Sequence, residues 1–113
     1  MKIINITRNI VLADNAAMVD TVFTRLRGLL GRNRLKEGEA LVIQPSNSIH
    51  MFFMRFAIDA LFVDKRNIVT GVCKNMRPWS VSPVFWKSLY VIELAAGVID
   101  TTGTSAGDEI VLL

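Results

Sequence analysis

Ser46–Asp64 reads SNSIHMFFMRFAIDALFVD. Its second half decides the fold. Ile58–Val63 is apolar on both faces of an extended chain, with Ile58, Ala60 and Phe62 on one and Leu61 and Val63 on the other. That is the pattern of a central strand covered on both sides. Asp59 interrupts it, on the face of Leu61 and Val63. A carboxylate placed there is partly desolvated and needs a partner. The first half holds the chain's single histidine, His50, among Met and Phe, with Asn47, Arg55 and Asp64 as further polar anchors. Polar groups set into an apolar run mark either a satisfied core network or a site.

Working outward, Asp64–Asn67 (DKRN) is a tight polar turn, and Ile68–Cys73 pairs back as the second arm of a β-hairpin. Leu89–Leu94 is another buried strand carrying an acid, Glu93, and Ala95-Ala96-Gly97 ends it. Glu39–Gln44 reads as a strand broken by Pro45-Ser46-Asn47, and Ile49–Met54 as a further extended segment. Arg77–Trp86, RPWSVSPVFW, is an aromatic loop punctuated by prolines. Lys2–Val11 is expected to form a hairpin turning at Arg8-Asn9, and Gly107-Asp108 to turn the chain into a last strand, Glu109–Leu113. Val22, Phe23, Leu26, Leu29 and Leu30 recur at spacings of three and four, predicting one short helix, Thr21–Leu30, capped by Asp20 or Thr21 and ended by Gly31. Strands outnumber helices, and there are no repeats or linkers. The expected architecture is mostly β: one domain over residues 1–113, barrel-like or sandwich-like, with one short helix near residues 21–30.

Composition bounds the function. A chain of 113 residues with 51% hydrophobic and 20% charged residues folds as one globular unit rather than remaining disordered. Apolar runs such as Met51–Met54 and Leu89–Ile92 are far too short to span a bilayer. Asn5, Thr7, Arg8 and Asn9 interrupt the N-terminal apolar residues, so no signal peptide is read there, and the cytosol is the expected compartment. Cys73, alone, forms no internal disulfide. The net charge is +3. Arg25, Arg27, Arg32, Arg34 and Lys36 fall within Thr24–Lys36 with no acid among them, a run that reads first as a solvated face. Nucleic-acid binding through it is the least favoured function.

Four features carry possible chemistry. An unperturbed histidine has a pKa near neutrality, so His50 suits general acid–base work. As a lone histidine with no cysteine pair it makes a poor zinc site, and Asp59, Asp64 and Glu93 have no recognised spacing for a hard cation. No metal or cofactor is expected. Asp59 has Arg55 or a helix arginine as its natural partner, in a structural ion pair or in a site where it orients His50. Glu93, on a second strand, can converge with Asp59, His50 and an arginine, or sit at a strand edge and bond a backbone amide or arginine. Trp79, Phe85 and Trp86 crowd one loop, where they either stack on a ligand or lid the core. No nucleophile elbow, phosphate loop or dinucleotide fingerprint is present.

RLRGLLGR (Arg25–Arg32), IHMFFMRFAIDALFVD (Ile49–Asp64), RPW (Arg77–Trp79), VIELAAG (Val91–Gly97) and GDEI (Gly107–Ile110) together resemble, in order and spacing, the motifs of the domain of unknown function 192 family of small prokaryotic proteins. The resemblance covers roughly residues 20–113. It implies a small, mostly β domain with a short helix and no settled reaction. It also implies that the characteristic polar positions fall on Arg25, His50, Arg55, Asp59, Asp64, Trp79, Glu93 and Asp108. Where the family often has proline before its Ile-Asp pair, Ala57 stands here. Many relatives carry an N-terminal export segment; none is read here, and no envelope role is carried over.

The functional expectation is a binding module. A cleft of His50, Arg55, Asp59 and Glu93, flanked by Trp79 and with Arg25 as a further candidate, would hold a small polar or glycan-like ligand. The alternatives are a structural or interaction protein whose polar network serves only the fold, and a hydrolase-like enzyme using His50 with Asp59 or Glu93. Sequence assigns no oligomeric state.

Overall fold

A computed structural model describes residues 1–19 and 32–113. The helix expected at Thr21–Leu30, and with it the candidate Arg25, lies outside the described residues. Within them the elements run β1 (Ile3–Asn5), β2 (Ile10–Val19), β3 (Gly38–Ile43), β4 (Ile58–Asp64), β5 (Val69–Met76), β6 (Ser88–Ala95), the five-residue helix α1 (Val98–Thr102) and β7 (Ile110–Leu112). They form a mostly β fold with one seven-stranded sheet, in the order β5-β4-β6-β3-β2-β1-β7. Neighbours are antiparallel except β2 and β3, which are parallel.

β4 does what its two-faced apolar pattern predicts. All seven of its residues are buried, and it pairs with β5 on one side and β6 on the other. Its residues alternate between two cores. Leu61 and Val63 face a cluster that includes Ile3, Leu12, Val42, Ile92, Leu94 and Ile110. Ile58, Ala60 and Phe62 face a second cluster with Ile49, Met51, Met54, Phe56 and Val91. The first core is wrapped by the sheet itself. The outermost strands are drawn together where Ile68 bridges Glu109, with Val69 N donating to Asp108 O and Ile110 N to Asn67 O, both at 2.8 Å. No continuous ladder joins β5 to β7, so the sheet curls toward a barrel without closing.

Several local expectations are corrected. Ile49–Met54 is not a strand. Only His50 pairs there, in an isolated bridge to Val81, because the chain turns at Phe53 (φ 66°) and Met54 N bonds Met51 O. β2 runs on to Val19, well past the expected hairpin arm, because it gains a parallel partner in β3. Gly97 does more than stop β6: in a left-handed conformation (φ 98°) it caps α1, a helix too short for side-chain periodicity to announce.

Gly71 marks the tightest approach in the second core. A Cβ there would fall inside the ring of Phe85, which itself packs 4.4 Å (ring centroids) from Phe62. Gly71→Ala is expected to lower stability by about 1–3 kcal/mol through overpacking. In urea denaturation, Phe85→Leu in the same chain should recover part of that loss, and strict additivity of the two changes would contradict the packing account.

Candidate ligand-binding surface

The chain from Asn47 to Met54 lies against the loop from Trp79 to Phe85, and backbone bonds lace the two together. Met51 N donates to Ser80 O and Trp79 N to Met51 O, each at 2.7 Å; Ser82 N donates to Ile49 O at 2.9 Å and Phe85 N to Asn47 O at 2.8 Å. The buried Ser82 hydroxyl accepts the Ile49 amide at 2.9 Å. Ile49, Met51 and Met54 point inward and anchor the segment in the second core. The residues between them are left outside.

Those outward residues are aromatic. The His50 and Phe52 rings stack at 4.5 Å, Phe53 and Trp79 meet at 4.9 Å, and Phe52 lies 6.0 Å from Trp79. Phe53 is 65% exposed and Trp79 59%. Both adopt the left-handed backbone conformation, with φ 66° and 67°, which for bulky side chains costs roughly 1–2 kcal/mol per residue. The Phe52 amide donates to His50 Nδ1 at 3.3 Å, fixing the ring's edge toward the backbone. Beside this surface, Ser48, Ile49, His50, Phe52 and Val81 line a hollow of about 240 Å³.

The acids expected to join His50 are placed elsewhere. Asp59 is 1% exposed, and its carboxylate is occupied by backbone amides: Oδ1 accepts Asn75 N at 2.8 Å, and Oδ2 accepts Gly97 N at 3.1 Å and Ile99 N at 2.9 Å. It therefore ties β4 to the end of β5 and to the start of α1, rather than engaging Arg55, which is exposed. Asp59 pairs across the sheet with Leu94, whereas Glu93 pairs with Ala60 and Leu41. Strand alternation puts the two acids on opposite faces of the sheet. Glu93 is fully buried, on the side of the second core. Neither carboxylate is presented to solvent beside His50. Asp64 holds a turn, its Oδ1 accepting Arg66 N and Ile68 N at 2.8 and 3.0 Å. Of the sequence candidates, the structure brings together His50 and Trp79, through Phe52. Phe52 and Phe53 were missed as partners; their spacing around His50 resembles that of the core residues Met51 and Met54, and only the turn at Phe53 separates the two sets.

A second polar cluster joins residues about a hundred positions apart. Asp108 Oδ2 accepts Asn5 Nδ2 (2.9 Å), Arg8 Nε (2.7 Å) and Ser105 N (3.0 Å), and Asn5 Nδ2 also donates to Thr104 Oγ1 at 3.1 Å. Burial works to raise the Asp108 carboxyl, but the bonds from Asn5, Arg8 and Ser105 and the Arg8 charge outweigh it, holding its pKa below the ordinary value. Tyr90, whose hydroxyl donates to Asn67 Oδ1 at 2.9 Å, is pushed up to about 12 by burial and by the nearby Asp64 charge. Among the described residues, no three His, Cys, Asp or Glu side chains group as metal ligands, and no helix is long and apolar enough to cross a membrane.

With fold and surface in hand, the chain belongs to the domain of unknown function 192 family (DUF192, "Uncharacterized ACR"), whose profile matches residues 3–112. It is similar to a UPF0127 protein of Thermococcus sibiricus, 34% identical over 96% of this chain and 72% of that one. It is also similar to a UPF0127 protein of Pyrococcus abyssi, 30% identical over 96% and 94%. A crystal structure of a protein of unknown function from Novosphingobium aromaticivorans shares the fold, with a TM-score of 0.81 at 20% identity over 98% of this chain and 82% of that one.

Two outcomes follow from the buried carboxylates. Asp59→Asn turns an amide NH₂ toward backbone donors and should cost about 2–4 kcal/mol in urea denaturation; a loss under about 0.5 kcal/mol would show that those amides find other acceptors. For Asp108 the folded pKa is lowered, so its contribution to stability is complete above the ordinary value of 3.8 and is lost as pH falls through the folded value. Asp108→Asn should therefore be less stable than the parent near neutrality, and the gap between the two urea midpoints should narrow as pH falls below the ordinary value of 3.8. A gap that stays constant with pH would contradict this.

Proposed function

We propose that this protein is a binding module, and that its ligand seat is the aromatic surface of His50, Phe52, Phe53 and Trp79 with the hollow beside His50. One observation carries the reading. Phe53 and Trp79 both hold strained left-handed backbones, and both present their rings, in mutual contact, to solvent. Backbone strain of this kind persists only where the surroundings impose it, and it concentrates at ligand sites. Here the lacing of the two loops imposes it.

The ligand class is a small polar or glycan-like molecule with one apolar face. The C–H face of a sugar ring stacks on exposed aromatics, and His50 supplies a polar group at the edge. Arg55, exposed and two residues beyond Phe53, remains a candidate contact. Asp59 and Glu93 are assigned to the fold rather than to the ligand. That assignment also weighs against a hydrolase pairing His50 with either acid, since general acid–base work needs groups within hydrogen-bond reach of one substrate. The protein is taken to act in the cytosol, in keeping with its single free thiol, Cys73.

Trp86→Phe leaves Trp79 as the single tryptophan reporter. Titrating that variant with a panel of oligosaccharides should give a saturable fluorescence change for at least one ligand. Adding Trp79→Phe or Phe53→Ala should weaken the interaction at least about tenfold, read by calorimetry, with the fold intact. If ligands found by NMR perturb only residues outside 48–53 and 79–81, the seat is elsewhere and the reading fails.

A further inference from the structure

The geometry points to a second, phosphate-binding site on this protein, formed by Lys65 and Arg66 on the β4–β5 turn and Lys87 just before β6. Together with Asp64, Ser88 and Leu89 they line a groove of about 570 Å³. The site is independent of the aromatic surface and shares no residue with it.

The cations stand on fixed backbone. Asp64 Oδ1 takes the amides of Arg66 and Ile68, and Asn67, in a left-handed conformation (φ 65°), donates its amide to Asp64 O at 3.0 Å. Asn67 is held again from outside: its side chain accepts the Tyr90 hydroxyl at 2.9 Å, and its carbonyl accepts Ile110 N at 2.8 Å. Across the groove, Ser88 pairs with Asp64 just past a register shift in the β4–β6 ladder. Irregularities of this kind re-aim side chains and recur beside functional sites. The Ser88 hydroxyl bonds Ser46 O and Tyr90 O, both at 3.0 Å, which secures the second wall.

Charge then sets the ligand class. Lys65, Arg66 and Lys87 are exposed, and among the described residues none has a salt-bridge partner, whereas Arg8, Arg32 and Lys74 each do. The one acid in the groove, Asp64, has an oxygen committed to backbone amides. Three cations lining one groove, including a guanidinium able to bind two oxygens at once, suit a phosphomonoester dianion better than a carboxylate monoanion. Leu89 and the aliphatic stems of the lysines give the groove an apolar wall, which favours a phosphate carried on an apolar or planar body.

Phenyl phosphate, inorganic phosphate and benzoate, titrated at low salt and followed by ¹⁵N–¹H NMR, test the site. Phenyl phosphate and inorganic phosphate should both shift amides 64–67 and 87–89 saturably, phenyl phosphate binding several-fold more tightly, and benzoate should bind at least about tenfold more weakly. Lys87→Glu or Arg66→Glu should each weaken phenyl phosphate binding at least about tenfold, while Lys2→Glu leaves it unchanged. Shifts that do not saturate, that scatter over all lysines, or that survive Lys87→Glu would overturn the assignment, as would benzoate binding as tightly as phenyl phosphate.

Discussion

The burial of β4 on both faces is the constraint from which the rest of this structure follows. A strand with no solvated side must have a core on each, and β4 sends alternate residues into two separate ones. The sheet curls to supply the first. The second is covered by segments with little regular structure, and these segments reach the surface as the laced loops of the aromatic seat. Asp59 is the cost of running such a strand past the start of α1: a carboxylate enters the interior, and it is stable there because three backbone amides converge on it.

The candidate site inherits this division of labour. Asp59, which looks catalytic in the sequence, ties backbone amides together, and Phe52 and Phe53, which look like core filler, are exposed. Asp59 and Glu93 sit one cross-strand step apart, yet strand alternation separates them by the thickness of the sheet. Phe52 and Phe53 lie between Met51 and Met54, which are buried, and face solvent because the chain turns at Phe53. A strained turn thus holds apolar rings in water in one fixed arrangement.

Much of the fold was legible in the sequence, and the reasons are local. Ile58–Val63 and Leu89–Leu94 announce buried strands through continuous apolar character, and DKRN announces the turn between β4 and β5. What was not legible depends on pairing across long separations. The parallel partner that extends β2 to Val19 lies beyond any local window. So does the Asn5–Arg8–Asp108 cluster, in which a modest asparagine and a modest arginine acquire meaning only when the ends of the sheet meet. Ile49–Met54 misleads for the opposite reason: its composition suits a strand, while a single left-handed residue decides otherwise.

β1 pairs with β2 through a short turn and with β7 across most of the chain, and Lys2 and Leu113 exchange both of their backbone bonds. Closing so long a loop costs entropy before any contact rewards it. Folding should accordingly proceed outward from β4 with its two antiparallel neighbours β5 and β6, with β1 and β7 joining late, in the slow range of domains dominated by non-local pairing. Until that last seam closes, the bonds that hold Asn67 from β7 are unmade, and one wall of the basic groove has yet to acquire its final shape.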